Sequence, residues 1–206
     1  MSIGPDIKEA LTEVGASFTI KRDGGDVAGG YFDIIANTQV TKPFIREFFL
    51  EVEFAYDSTV EAGELIELDT PGVIYMVANK TPELFENQII GNAGVVYQCN
   101  VSGELLRASG EADWDDQTMQ KLETFVTVKS NCYALLTTPV HGGELDIDEP
   151  IGLLDMERQE MYIQSVIGVQ ELDRYQPVSG EYYRVEAVKK RRYPGIDVVL
   201  LGEDTR

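Results

Sequence analysis

Side chains able to do covalent or metal chemistry are few and scattered in this 206-residue chain. His141 is the single histidine, placed between Pro139-Val140 and Gly142-Gly143, and the two cysteines are Cys99 and Cys132. Their spacing matches no zinc-ligand pattern, and neither thiol lies in a CxxC pair. No GxSxG elbow accompanies the histidine, which reads as a solvated loop residue. The 36 acidic residues are too many for the sequence to single out a facing carboxylate pair of the kind glycoside hydrolysis needs. Asp113-Trp114-Asp115-Asp116 could supply calcium ligands, but the EF-hand spacing with its late glutamate is absent. The same cluster suits a helix start, with Asp115 accepting backbone N–H bonds and Trp114 packing back on Met119. Arg22–Gly30 holds four glycines, yet it lacks a P-loop pattern, and its aspartates would repel phosphate. We therefore expect no catalytic residue, no cofactor and no metal, and a protein that is not an enzyme.

The charge balance bears more directly on partners. Seventeen bases against 36 acids give a formal charge of -19, which disfavours ordinary DNA or RNA binding. Three readings of it are open: solubility, a surface that must not stick to nearby DNA, and mimicry of DNA itself. With 43 % hydrophobic residues the chain can bury a sizeable core. No apolar run nears the length of about 18 residues that a membrane helix requires. The start, MSIGPDIKEALTEV, has no secretory pattern, and two distant cysteines suit a reducing cytoplasm.

The elements that would carry these residues are mostly strands. Residues 5–14 predict a short amphipathic helix, with Pro5 in the first turn, Ile7, Leu11 and Val14 on one face, and Gly15 as the stop. Alternating apolar residues then predict strands over 17–21, 31–35, 46–56, 64–68, 73–77, 91–101 and 133–136, with 163–169 and 172–175 leading to a terminal hairpin over 180–204. Met119, Leu122, Phe125 and Val126 predict a mid-chain helix. The fold class is mainly β with minor α: an antiparallel β-barrel or sandwich, with one helix at the N-terminus and one mid-chain. We divide it as residues 1–104 (helix and first β module), 105–150 (helix and acidic connecting loop) and 151–206 (second β elements).

Two related β modules are suggested by a faint repeat. Gly72, Tyr75 and Val77 recur in step as Gly180, Tyr183 and Val185. An upstream Glu-Leu pair (64–65 and 171–172) and a downstream Val-Val pair (95–96 and 198–199) keep the same order.

Lys189, Lys190, Arg191 and Arg192 stand together on an otherwise acidic chain. They read either as a solvated edge that discourages aggregation or as a contact for the acidic face of a neighbouring copy or partner. A homomeric ring would use such a contact repeatedly around an axis.

The opening IGPDIKEALTEVGASFTI and the ending GEYYRVEAVKKRRYPGIDVVLLGEDTR resemble the small head–tail connector or neck proteins of tailed bacteriophages, the adaptor, stopper and tail-completion group. The resemblance covers about a quarter of the chain. It implies a virion structural protein, assembled in the host bacterial cytoplasm, whose β-barrel core joins a homo-oligomeric ring between portal or adaptor and tail proteins. It further implies transient, non-specific proximity to the genomic DNA, no membrane, and arms reaching neighbouring copies, for which residues 23–30 and 142–154 are candidates. On this reading Lys189, Lys190, Arg191 and Arg192 are interface contacts. The alternatives are another tail component (terminator or baseplate), an acidic decoy that inhibits a DNA-processing enzyme, and a hydrolase using some of the many carboxylates.

Overall fold

The computed structural model describes residues 3–35, 49–115, 120–137 and 159–204. Their order is α1 (Ile3–Val14), β1 (Ala16–Lys21), β2 (Val27–Ile35), β3 (Phe49–Ala55), β4 (Leu65–Leu68), β5 (Ile74–Phe85), β6 (Gln88–Gln98), β7 (Val101–Asp115), β8 (Gln120–Thr137), β9 (Gln159–Gln164), β10 (Arg174–Gln176), β11 (Tyr183–Tyr193) and β12 (Ile196–Glu203). The protein is therefore mainly β, and its strands close into two antiparallel barrels. The chain forms two compact units, Met1–Cys99 with Tyr193–Ile196, and Asn100–Arg192 with Asp197–Arg206.

In the first unit the cyclic strand order is β1-β2-β3-β6-β5-β4. Alternation along β1 and β3 sends Phe18, Ile20, Val52 and Phe54 into the core and leaves Ser17, Thr19, Lys21, Glu51 and Glu53 half-buried. Phe18, Phe32 and Phe54 form a triangle with ring centroids 5.3, 5.7 and 5.8 Å apart. Each buried ring contributes about 1.5–3 kcal/mol of transfer free energy. β6 passes over these rings at Gly94, where a Cβ would lie 2.7 Å from the Phe54 ring. Helix α1 buries Leu11 and stops at Gly15, whose N–H donates to the Leu11 carbonyl at 2.8 Å.

The second unit has the order β10-β11-β12-β9-β8-β7, also closed. Leu105, Met161, Ile163, Tyr175, Val185, Val199 and Leu201 fill its interior. The Tyr175 hydroxyl, fully buried, donates to the Cys132 carbonyl at 3.0 Å. Both barrels are filled with apolar side chains, the reverse of a lipid-spanning barrel with its polar interior and apolar exterior. Among the described residues no helix is long and apolar enough to cross a membrane.

The two barrels share one topology. Read from its first strand, one cycle runs β1-β2-β3-β6-β5-β4 and the other β7-β8-β9-β12-β11-β10, the same path six strands later. The registers agree as well. Leu65 and Ile66 of β4 oppose Met76 and Tyr75, as Arg174 and Tyr175 of β10 oppose Arg184 and Tyr183. The Tyr75/Tyr183 repeat read in the sequence thus falls on the fifth strand of each barrel. The upstream match needs shifting by two residues, because the structure sets Glu64 against Asp173 rather than against Glu171.

A matching latch closes both barrels at this point. Arg22 grips Glu64 with two nitrogens and donates to the Thr59 carbonyl at 3.1 Å. Arg107 grips Asp173 at 2.7 and 2.8 Å and donates to the Gly168 carbonyl at 3.0 Å. Each carboxylate also accepts the N–H three residues before it, from Glu61 and from Gln170, at 2.8 Å in both. The buried Val60 and Val169 stand at the same step. The residue preceding each carboxylate, Gly63 or Leu172, adopts positive φ, +87° and +71°.

Two sequence expectations change, and one stretch without a predicted element gains one. The mid-chain helix is replaced by β8, which pairs with β7 from Gln120 onward, Leu122 opposite Asp113 and Phe125 opposite Ala108. Thr124, Val126, Thr127 and Val128 put four β-branched residues into five positions, and such residues favour a pleated strand over a helix. Residues 81–88, for which the sequence predicted no element, belong to the ends of β5 and β6 and the turn joining them. The glycine-rich segment is no extended arm: Gly25 N–H donates to the Arg22 carbonyl at 3.0 Å, and from Val27 the chain pairs with β1. His141, Asp116 and the candidate arm 142–154 lie outside the described residues.

Candidate interaction surface on the terminal hairpin

The β11–β12 hairpin is built by two strands of different character. Ile196, Asp197, Val198 and Val199 of β12 are buried, whereas Lys189, Lys190, Arg191 and Arg192 at the end of β11 are all exposed. The four bases named from the sequence are thus brought together on one strand end. They are not equivalent. Glu160 of β9, only 14 % exposed, lies 3.9 Å from Lys189 and 3.4 Å from Arg192. Lys190 and Arg191 have no ion-pair or hydrogen-bond partner among the described residues, and Arg191 takes a left-handed backbone with φ +73°. Among the described residues, one carboxylate therefore stands beside the flanks of the cluster and not beside its centre. Tyr193, which ends β11, belongs to the first unit and sets its ring 6.1 Å from that of Tyr97.

The equivalent hairpin of the first barrel, β5–β6, has the opposite charge. Counted from Tyr75 and Tyr183, Glu83 stands where Arg191 does, Phe85 where Tyr193 does, and the turn pair Glu86-Asn87 where Pro194-Gly195 does. Glu86 and Asn87 take φ +49° and +62°, as a tight two-residue hairpin turn requires. Leu84, Phe85 and Ile89 on this tip are exposed.

Desolvation pushes the Cys99 thiol up to about 12 and the buried Cys132 thiol up to about 11. Both are protonated at neutral pH and are poor nucleophiles. Among the described residues no group of His, Cys, Asp and Glu is arranged to hold a metal ion. A cleft of about 500 Å³ in the second unit is lined by Gln159, Tyr182, Tyr183, Glu181, Glu203 and Asp204. Asp204 is committed to Arg174 at 2.6 Å. The Arg174 guanidinium also lies over the Phe125 ring at 3.8 Å and the Tyr182 ring at 4.9 Å. Sequence reasoning missed this sandwich, because its members come from four separate stretches of chain.

No protein-family model, curated protein or solved structure matches this chain.

Proposed function

We propose that this protein is a structural component of the head–tail neck of a tailed bacteriophage, a ring-forming barrel protein that joins portal to tail and surrounds the DNA channel. The observation that carries the reading is a compact basic surface, Lys189–Arg192, whose Lys190 and Arg191 have no partner among the described residues, on a chain of charge -19. Such an isolated patch has no use in repelling DNA, and it suits a repeated contact with the acidic surface of a neighbour. The excess of acids would line a channel from which the genome slides without sticking. Filled barrels supply stiff building blocks, and the ending Gly180–Arg206 resembles the closing strands of neck proteins. The protein would reside in the virion after assembly in the host bacterial cytoplasm, with portal or adaptor and tail proteins as partners. Terminator and baseplate positions use the same properties.

The net charge also favours a second reading, an acidic decoy bound to a DNA-processing enzyme. Gradient fractionation of a lysate of the source, followed by mass spectrometry, separates the two. We expect the protein in the megadalton fractions beside capsid and tail proteins. Recovery in light fractions with one enzyme, displaceable by duplex DNA, overturns the neck reading in favour of the decoy.

A further inference from the structure

The oppositely charged hairpins gain meaning from what surrounds the acidic one. On the outer face of the first barrel, Asp33 of β2 stands directly across from Glu53 of β3. Glu53 is opposite Ala93 of β6, and Glu83 of β5 is opposite Gly91. Gly91 has no side chain to separate Glu53 from Glu83: a Cβ there would lie 3.1 and 3.7 Å from their carboxylate oxygens. Burial, then repulsion by Glu83 and Asp33, pushes the Glu53 carboxyl above its ordinary range. Neither Glu53 nor Glu83 has a cationic partner among the described residues. Lys80, on the same strand as Glu83, is turned away to the Ser58 and Val60 carbonyls at 2.6 and 3.1 Å.

We propose that the Asp33–Glu53–Glu83 face of the first barrel is the receiving surface for the Lys190–Arg191 tip of a second copy of this chain, so that copies join head to tail. The inference rests on the ring reading above and names the surface that reading leaves open. Both surfaces carry charges with no oppositely charged partner among the described residues, they have opposite sign, and their hairpins occupy the same place in two barrels of one topology. A chain with two such surfaces makes a heterologous contact, the kind that closes into rings. Arg191 suits the receiving side, because its planar fork can bridge two carboxylates, and the aliphatic stems of Lys190 and Arg191 can lie against exposed Leu84 and Ile89.

Two variants of the full chain test this, each confirmed as folded by circular dichroism and denaturation midpoint: K190E/R191E, and D33K/E83K at exposed positions. In sedimentation velocity at low ionic strength we expect the natural chain to form multimers and each variant alone to run as monomer. An equimolar mixture of the variants restores multimers, since the reversed tip of one then meets the reversed face of the other. A merely structural lesion is not repaired by mixing. Loss of association in K190E/R191E but not in D33K/E83K overturns this receiving surface and leaves the neck reading standing. A natural chain that stays monomeric overturns the direct contact between copies, while the neck reading is then judged by whether the protein travels with particles.

Discussion

The same latch in two settings shows how burial, more than hydrogen-bond geometry, sets what one side chain is worth. Asp173 is 2 % exposed beneath Arg107, whereas Glu64 is 20 % exposed beneath Arg22. Removing a cation above a buried carboxylate strands an uncompensated charge, at a cost of about 3 kcal/mol. Removing one above a wetter carboxylate costs about 1 kcal/mol, because water takes over. Arg107→Ala should therefore lower the denaturant midpoint clearly and Arg22→Ala only slightly, although both arginines make two bonds to a carboxylate and one to a carbonyl. Equal costs would mean that the latch acts through the backbone carbonyls it holds, not through charge. Arg107→Lys should recover only part of the loss, since an ammonium cannot reproduce the paired N–H fork.

Between elements, close approach of backbones decides what the turns tolerate. Within the first unit Gly63 (φ +87°) meets Gly195 (φ +69°). A Cβ on Gly63 would sit 2.6 Å from the Gly195 Cα, and one on Gly195 would sit 2.8 Å from the Gly63 Cα. Gly195→Ala meets both a steric clash and an unfavourable backbone, so a loss of about 2–3 kcal/mol is expected. Gly110→Ala has positive φ but nothing within 4 Å, and about 1 kcal/mol should suffice there. Thermal or denaturant unfolding of the two variants gives the comparison; a Gly110 variant as damaged as the Gly195 one would refute the steric account. At this scale the sequence was legible wherever a signal is local. Alternation placed β1 and β3, a nearly continuous apolar run placed β12, and four adjacent bases marked Lys189–Arg192. It misled at Leu122–Val126, where apolar spacing resembled a helix and the β-branched run was outweighed. It was silent on Arg22–Glu64, on Arg107–Asp173 and on the Asp33–Glu53–Glu83 row, because cross-strand register, absent from any single stretch of chain, brings those residues together.

At the scale of the molecule, the charge of -19 makes salt act in opposite directions on folding and on assembly. Each described ion pair, such as Lys8–Asp57 at 2.6 Å or Lys21–Asp26 at 2.7 Å, loses attraction when salt is added. Exposed pairs are worth about 0–1 kcal/mol each, so their loss is small. The 36 acids exceed the 17 bases by nineteen charges, and the mutual repulsion of that excess is relieved by the same ions. At about 0.15 M salt the screening length falls to about 8 Å, shorter than most distances across a barrel surface. Repulsion is summed over many distant pairs and attraction over a few near ones, so screening should stabilise the folded chain. Raising salt from low to moderate concentration should therefore raise the thermal midpoint. Contact between a basic tip and an acidic face is an attraction between exposed groups, and the same change should shift sedimentation towards monomer. Measured side by side on one preparation, the two curves should move in opposite senses. A thermal midpoint that falls with salt would show that the ion pairs outweigh the repulsion, and association that strengthens with salt would show that apolar contact at Leu84, Phe85 and Ile89, rather than charge, joins the copies.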